Sequence, residues 1–182
     1  MEAKLYYQRN LPHWHPPGTP LFVTWRLHGS LPRPVLRMLE EKNLSEGRRF
    51  ALADRELDKA SCGPVWLRDA QIAQGMVETL RRGERELRCF ELHTFVVMAN
   101  HVHMLVTPNR AVARIMRGIK RHSAANANQI LGRAGQRFWQ EESYDHWCRN
   151  AVEVRAHSAV HRVESGEGRS GAAATGLGMV ER

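Results

Sequence analysis

The chain has 182 residues, of which 42% are hydrophobic, and a formal net charge of +8, from 27 lysines and arginines against 19 acidic residues. This size and composition suit one domain with a real core, and the charge favours a polyanionic partner, nucleic acid before an anionic membrane surface. The three widely spaced cysteines argue against a disulfide framework or a thiolate zinc site, and we expect a cytoplasmic protein with neither a signal peptide nor a membrane span.

The first half of the chain predicts a strand followed by helices. Residues 21–27 are β-branched and aromatic and stop before Gly29, which is typical of a strand. Pro34 suits the first turn of a helix, and Asp69 can cap another helix that carries apolar residues at helical spacing. Between them, residues 43–69 predict helix fragments and loop.

The second half predicts a hairpin and a long helix. The strands are residues 91–98 and 101–107, and the tight turn between them uses Asn100, which tolerates positive φ. A helix follows over residues 110–131. The order of strand, helix, hairpin and helix predicts an α+β fold in which helices pack on one face of an antiparallel sheet.

The triplet His101-Val102-His103 falls in the second hairpin strand. Residues i and i+2 of a strand point to the same face, so both imidazoles project together and can bind one divalent metal ion. Two alternatives remain open, namely two unrelated surface histidines or a different metal hydrolase that uses the pair. A histidine-triad hydrolase would need a further alternating histidine, and Leu105 stands there.

The long helix carries arginines at intervals of four, three and four residues, which places their guanidinium groups along one face. Such a stripe can follow a phosphate backbone, although a solvated charged face is an equally good interpretation. The candidate DNA contacts are Arg110, Arg114, Arg117, Arg121 and, elsewhere around the helix, Lys120.

Aromatic residues recur after this helix. Those of the segment Tyr144-Asp145-His146-Trp147 stand beside polar groups and could stack on unpaired bases. For Phe138 and Trp139 we favour the alternative interpretation, packing in the core.

These segments together resemble the REP-associated tyrosine transposases, a branch of the single-tyrosine HUH transposases. The order and spacing hold over roughly residues 6–150, with Ala99 where the family usually has proline. The matching segments are Leu11-Pro12-His13-Trp14, residues 22–27, Gly29-Ser30-Leu31-Pro32, Gly63-Pro64-Val65-Trp66-Leu67, residues 97–103, Gly118-Ile119-Lys120, Asn128, Phe138-Trp139-Gln140-Glu141, Tyr144-Asp145-His146 and Arg149.

The resemblance implies a ferredoxin-like sheet and metal-dependent cleavage of single-stranded or hairpin DNA. It implies that His101 and His103 bind Mg²⁺ or Mn²⁺, which polarises the scissile phosphate. A tyrosine on a C-terminal helix then attacks phosphorus and forms a phosphotyrosine intermediate. Both monomers and homodimers occur among such transposases, so a homodimer is a possible assembly.

The family's nucleophile motif, Tyr-Ile-x-x-Asn-Pro-Val-x-Ala-Gly-Leu, is missing where the resemblance places it. Its asparagine can supply a further metal ligand. With synonymous codons, Val160 to Gly171 back-translate so that reading one base later yields Tyr-Ile-Glu-Ser-Asn-Pro-Val-Lys-Ala-Gly-Leu. The protein sequence fixes the first base of each shifted codon except at Ser165 and Ser170, whose codons allow C or G, and all eleven agree. We infer that the chain from about Ala151 is an out-of-frame translation.

The sequence therefore predicts a transposase-like domain at 1–150 and a disordered or out-of-frame tail at 151–182, which is rich in Gly and Ala. The predicted function is metal-dependent cleavage and strand transfer of single-stranded hairpin DNA, impaired by loss of the tyrosine helix. Tyr144 is the nearest remaining tyrosine and the candidate substitute nucleophile. The alternatives are a non-catalytic DNA- or RNA-binding module and a different metal hydrolase.

Overall fold

The computed structural model describes residues 18–148 except 42, together with three short strands at 6–8, 12–14 and 179–181. A 3-10 turn at Trp66–Arg68 precedes the third helix. The elements in chain order are β1 (Tyr6–Gln8), β2 (Pro12–Trp14), β3 (Leu21–Arg26), α1 (Arg33–Leu39), α2 (Glu46–Asp58), α3 (Ala70–Arg85), β4 (Phe90–Val97), β5 (His101–Pro108), α4 (Val112–Ile130), β6 (Tyr144–Trp147) and β7 (Met179–Glu181).

Five strands form one sheet in the order β6-β3-β5-β4-β7, and every neighbouring pair is antiparallel. Strands β4 and β5 form its central hairpin, while β1 and β2 pair separately. The predicted α+β class with an antiparallel sheet is confirmed.

One face of the sheet, called here the helix face, is covered by α3 and α4. Alternate residues of β5 supply it with Val102, Met104 and Val106, each at most 1% exposed. They pack in one apolar cluster with residues of α3 and α4 such as Met76 and Ile119. Burial of this cluster is the main source of stability, because apolar area removed from water contributes about 25 cal/mol per Å².

The opposite face, called here the histidine face, carries the other alternate residues of β5 and lies beneath α2. Phe50 of α2 meets the ring of Phe22 edge-on at 5.8 Å between centroids. At the end of α2, the buried Asn100 side chain donates from Nδ2 to the carbonyl oxygen of Leu57 at 3.0 Å. These two contacts attach α2 to the sheet. The sequence predicted helices on one face only, so it did not include α2 on the opposite face.

Several local predictions can be compared with the structure. Asp69 caps α3, since its Oδ1 accepts from the backbone N–H groups of Gln71 and Ile72, and Pro34 lies in the first turn of α1. The expectation of positive φ at Asn100 is wrong, because Ala60 and Arg88 are the non-glycine residues with positive φ in the described part of the chain. The Asn100 side chain is instead used in buried hydrogen bonds.

A close backbone approach explains one glycine of the motif series. Gly63 has a φ of +74°, and a Cβ at this position would overlap the carbonyl oxygen of Gly29. Only glycine therefore lets the segment after α2 pass against the turn that follows β3.

Two further findings concern the chain ends and membranes. Residues 179–181, within the predicted tail, form β7, which pairs with β4 and is an edge strand of the sheet. Residues 149–178 and 182 lie outside the described residues. None of the helices in the described part of the chain combines the length and the apolar character that crossing a bilayer requires.

Candidate metal centre and nucleic-acid surface

His101 and His103 meet on the histidine face, as the alternation along β5 predicts. Their Nε2 atoms are 2.9 Å apart, and the rings are nearly perpendicular at 83°. The side chains are 0% and 3% exposed, so water cannot freely solvate two charged imidazolium groups here. The pair is thus suited to neutral rings that share one proton or one cation.

Each imidazole ring is hydrogen-bonded through its Nδ1 atom. Asn100 Oδ1 lies 2.7 Å from His101 Nδ1, and Thr24 Oγ1 lies 2.6 Å from His103 Nδ1. Since Asn100 Nδ2 is committed to a carbonyl, its Oδ1 must accept, which places a proton on His101 Nδ1 and a lone pair on its Nε2. The threonine hydroxyl can donate or accept, so His103 can adopt either tautomer. Such outer hydrogen bonds are typical of metal-binding histidines.

A carboxylate of α2 completes the cluster. Asp54 Oδ1 is 3.4 Å from His103 Nε2, and one ligand atom from each of Asp54, His101 and His103 lies within 4.8 Å of the others. Asp58 is one turn further along α2, 3.7 Å from His101 Nε2, and burial raises the pKa of its carboxyl. The group Asp54, His101 and His103 can hold a metal ion.

Sequence reasoning missed Asp54, although a signal existed. Phe50, Asp54 and Leu57 are four and three residues apart, so they form one stripe of α2 that faces the sheet. An acidic residue inside an otherwise apolar stripe is unusual and needs a partner in the fold. Residues 43–69 were interpreted only as helix fragments and loop, so this stripe was not recognised.

A cavity of about 700 Å³ opens beside the cluster, between the α1–α2 layer and strands β3 and β6. Acidic side chains outnumber the two arginines Arg26 and Arg49 in its lining. Burial lowers the pKa of Arg26 to about 10, so this guanidinium remains charged at neutral pH. Arg26 pairs with His101 across β3 and β5, which makes it a cation close to the histidines that sequence reasoning did not identify.

Tyr144 lies on the same face as the histidines but two strands away. It pairs with Thr24 across β6 and β3, and Thr24 pairs with His103 across β3 and β5. Strands in a sheet are about 4.8 Å apart, so the Tyr144 and His103 backbones are roughly 10 Å apart. Between the two, Phe50 stacks on the Tyr144 ring with centroids 4.2 Å apart.

The surroundings of the Tyr144 phenol favour its neutral form. Burial, followed by the charges of Glu46, Asp145 and Asp54, raises its pKa to about 12. An activated nucleophile needs the opposite, a lowered pKa or an adjacent base that removes the proton. The structure therefore gives no support to Tyr144 as the substitute nucleophile.

The four predicted arginines lie together, but not with the histidines. Arg110, Arg114, Arg117 and Arg121 are all exposed and line a groove of about 520 Å³ between α3 and α4. Arg82 and His122 also line this groove, and none of its lining residues is acidic. Because α4 covers the helix face, the sheet separates the arginine groove from the metal cluster.

Lys120 has a role different from the predicted phosphate contact. Its Nζ donates to the carbonyl oxygens of Gln140, Glu141 and Glu142 at 3.0, 2.9 and 3.3 Å. An ammonium group has three donors, and three carbonyls use them here. Lys120 therefore ties α4 to the segment that leads into β6, and this geometry argues against a contact with DNA.

Phe138 and Trp139 belong to the core, as interpreted from the sequence. Phe138 and Trp139 are 2% and 6% exposed, and Trp139 Nε1 donates to Ser123 Oγ at 2.9 Å. Trp66 stacks on Phe138 with Arg133 on its other side, 3.9 Å from the ring centroid. These rings are unavailable for stacking on bases.

The predicted frame change and the missing nucleophile motif fall on residues 151–178, outside the described residues. The cysteines, all within the described part of the chain, form no disulfide, in agreement with the prediction.

Comparison with known proteins gives two matches relevant to these features. A family model described as "Transposase IS200 like" matches residues 67–157, half of the chain, including the histidine hairpin and α4. One solved structure, described as a REP-associated tyrosine transposase bound to a REP hairpin, is 17% identical, with 88% of this chain and 73% of that chain covered and a TM-score of 0.47. No curated protein sequence matches the chain.

Proposed function

The chain belongs to the IS200-like transposase family, and on this premise we propose that it is a DNA-binding transposase-type protein with a divalent metal centre and impaired cleavage. His101 and His103 would hold Mg²⁺ or Mn²⁺, and single-stranded or hairpin DNA would be the partner. The alternatives of a non-catalytic DNA- or RNA-binding module and of a different metal hydrolase are outcomes of the tests below.

The observation that carries the metal centre is the convergence of two buried Nε2 atoms at 2.9 Å. Two ligands at right angles on an ion with bonds of about 2.1 Å are roughly 3.0 Å apart, so the spacing fits a divalent ion without rearrangement. A nearby carboxylate supplies negative charge, and both Nδ1 atoms have hydrogen-bond partners that fix the ring orientations. The donor set therefore fits Mg²⁺ or Mn²⁺, with Mn²⁺ favoured by the imidazoles.

A divalent ion bound there would supply Lewis acidity to a phosphate oxygen. The chain's own residues would do the rest of the work on this face. The Arg26 guanidinium, beside His101, can donate to a second phosphate oxygen and so orient the group. Thr24 and Asn100 keep the imidazoles in place while the phosphate binds.

The arginine groove would hold a different part of the same nucleic acid. Exposed guanidinium groups along α4 can contact successive phosphates and release counterions, which is the dominant source of sequence-independent affinity. Because the groove and the metal cluster lie on opposite faces, one DNA molecule must pass an edge of the sheet to contact both. A hairpin with a single-stranded extension meets this requirement, since the stem and the extension can take different paths.

Cleavage is the step that this chain would perform poorly. The resemblance assigns the nucleophile to a tyrosine helix whose motif the sequence lacks, and Tyr144 has a raised pKa and acidic neighbours. We therefore expect binding of metal and DNA without efficient formation of a phosphotyrosine bond.

The test combines metal and DNA binding. Calorimetry with Mn²⁺ should show one site in the full chain and at least about 100-fold weaker binding in a His101→Ala/His103→Ala variant, since both imidazole ligands are gone. Because the histidine face is acidic, Mn²⁺ should also raise the affinity of the full chain, but not of the variant, for a single-stranded oligonucleotide.

The outcomes separate the candidate functions. Equal Mn²⁺ binding by both proteins would remove the metal centre and leave a nucleic-acid-binding module. Turnover of small phosphoesters in the absence of DNA would identify a metal hydrolase of another kind.

A further inference from the structure

We propose that Asp54 of α2 is the third protein ligand of the ion held by His101 and His103, so that the centre has two histidines and one carboxylate. This inference rests on the proposed metal centre and names a ligand that the histidine motif alone does not provide. Asp54 also lies outside residues 67–157, the stretch that the family model matches.

The distances allow one ion to contact all three residues. Bonds of about 2.1 Å place two ligand atoms of the same ion roughly 3.0 Å apart when adjacent and 4.2 Å apart when opposite. The Nε2 pair at 2.9 Å and the His103–Asp54 pair at 3.4 Å suit adjacent positions. The whole set lies within 4.8 Å, so a small rotation of the carboxylate brings every atom within bonding range.

Packing holds Asp54 in this position. One turn earlier on α2, Phe50 lies between Phe22 and Tyr144, and three residues later the carbonyl of Leu57 accepts from Asn100. Asn100 also orients His101, so one buried side chain contacts both the end of α2 and a metal ligand. A site built on packed helices and strands is positioned more accurately than one on loops.

The carboxylate changes both the affinity and the selectivity of the centre. Its negative charge lowers the cost of placing a divalent cation beside two rings that are almost fully buried. Two nitrogen ligands and one oxygen ligand favour Mn²⁺ over Mg²⁺, because Mg²⁺ prefers oxygen ligands and retains its water. The resemblance assigned a further metal ligand to an asparagine of the missing motif. Asp54 would supply that third ligand from within the described fold.

The experiment measures Mn²⁺ binding to the full chain without DNA, by calorimetry and by the paramagnetic resonance signal of free Mn²⁺. Asp54→Asn keeps the size of the side chain and removes the charge, and we expect at least about tenfold weaker binding. Glu56→Gln is the matched control, since Glu56 lies on the same helix, pairs with Lys59 and should bind Mn²⁺ like the unaltered chain.

A second measurement needs no variant and so does not depend on its folding. Carbodiimide labelling of the unaltered chain, read by mass spectrometry, should modify Asp54 less in the presence of Mn²⁺, while Glu56 labelling stays constant. Asp54 has a side chain that is 24% exposed and is thus open to the reagent when no ion is bound.

The outcomes distinguish this inference from the proposed function. Unchanged Mn²⁺ binding by Asp54→Asn, together with loss of binding by His101→Ala/His103→Ala, would overturn the role of Asp54 and leave the metal centre intact. Unchanged binding by all variants would overturn the metal centre itself. Equal labelling of Asp54 with and without Mn²⁺ would also contradict ligation by Asp54.

Discussion

The two faces of the sheet differ in both charge and packing. The histidine face carries buried imidazoles, and its cavity is lined by more acidic than basic side chains. On the helix face, the groove between α3 and α4 is lined by five arginines, one histidine and no acidic residue. The same twofold alternation along β5 supplies the two histidines of the candidate metal centre to one side and a continuous apolar core to the other.

Under the proposed function, this difference gives the two faces different roles. A cluster of carboxylates and neutral imidazoles attracts a cation and repels a phosphate until the cation is bound. A groove of guanidinium groups attracts phosphate with no cofactor, and its affinity depends on salt. Under the proposed function, mutation should therefore separate DNA binding from phosphate activation, and each prediction below addresses one face while the other serves as the reference.

The largest expected effect concerns covalent chemistry on the histidine face. Mixed with labelled hairpin DNA and Mn²⁺, the chain should give no protein–DNA species that survives SDS, because the sequence lacks the family's tyrosine motif and the pKa of Tyr144, which lies on the histidine face, is raised. Restoring the tail's reading frame by one nucleotide should introduce the Tyr-Ile-x-x-Asn-Pro segment and produce the adduct. An adduct from the unaltered chain that disappears on Tyr144→Phe would show instead that Tyr144 is the nucleophile.

The next effect concerns the core of the helix face. Trp139→Ala should lower the free energy of unfolding by about 3–5 kcal/mol, since it leaves a large cavity against Trp25 and Ser123. Urea denaturation measures this loss. Ser123→Ala is the control, because it keeps the Trp139 ring and removes only the hydroxyl, which donates to Ile119 O and accepts from Trp139 Nε1, and it should cost about 2 kcal/mol. Equal losses from the two changes would mean that the Trp139 ring contributes little packing.

A smaller effect is expected in the arginine groove. Arg114→Gln/Arg117→Gln should weaken binding of single-stranded DNA and reduce its logarithmic salt slope by about 1.4, since two phosphate contacts are lost. Binding of Mn²⁺ without DNA should stay unchanged, because the sheet separates the groove from the histidines. Arg55→Gln, an exposed arginine of α2, should leave the slope unaltered. An unaltered slope for the double variant would place the DNA path elsewhere.

The smallest effect is a titration on the histidine face. The Tyr144 phenol should ionise near pH 12, because burial and acidic neighbours raise its pKa from 10.0. The difference in ultraviolet absorbance between the unaltered chain and Tyr144→Phe, followed against pH, measures this value. Glu46→Gln should lower it by removing one negative charge.

The raised pKa of Tyr144 also makes the free energy of unfolding depend on pH. The unfolded phenol ionises near its ordinary value while the folded phenol remains neutral, so the contribution of Tyr144 to folding is complete below about pH 10 and is lost as the pH rises to about 12. Stability that does not depend on Tyr144 in this range would contradict its burial.

Much of the fold followed from local patterns in the sequence. The strand at 21–27, the hairpin, the cap at Asp69 and the long helix are each encoded by neighbouring residues, and the structure has them within one or two residues of the predicted ends. The core positions of Phe138 and Trp139 were also anticipated. The helix α2 was missed, since its stripe contains an aspartate that weakens the apolar pattern and its ends were not recognised. The short strands β1, β2 and β6 were not predicted either.

What the sequence determined by itself is what short-range geometry dictates. Alternation along a strand is sufficient to place the imidazoles of His101 and His103 together, and helical spacing is sufficient to align Arg114, Arg117 and Arg121 of α4.

Only the tertiary structure decided how these groups relate to one another. It brought Asp54 from 49 residues away to His103, placed the arginines on the opposite face, engaged Lys120 with backbone carbonyls and left Tyr144 half-buried among acidic residues. Contacts of this kind depend on which face of which element packs against which neighbour, and that is set by burial of the whole core rather than by the spacing within any one segment.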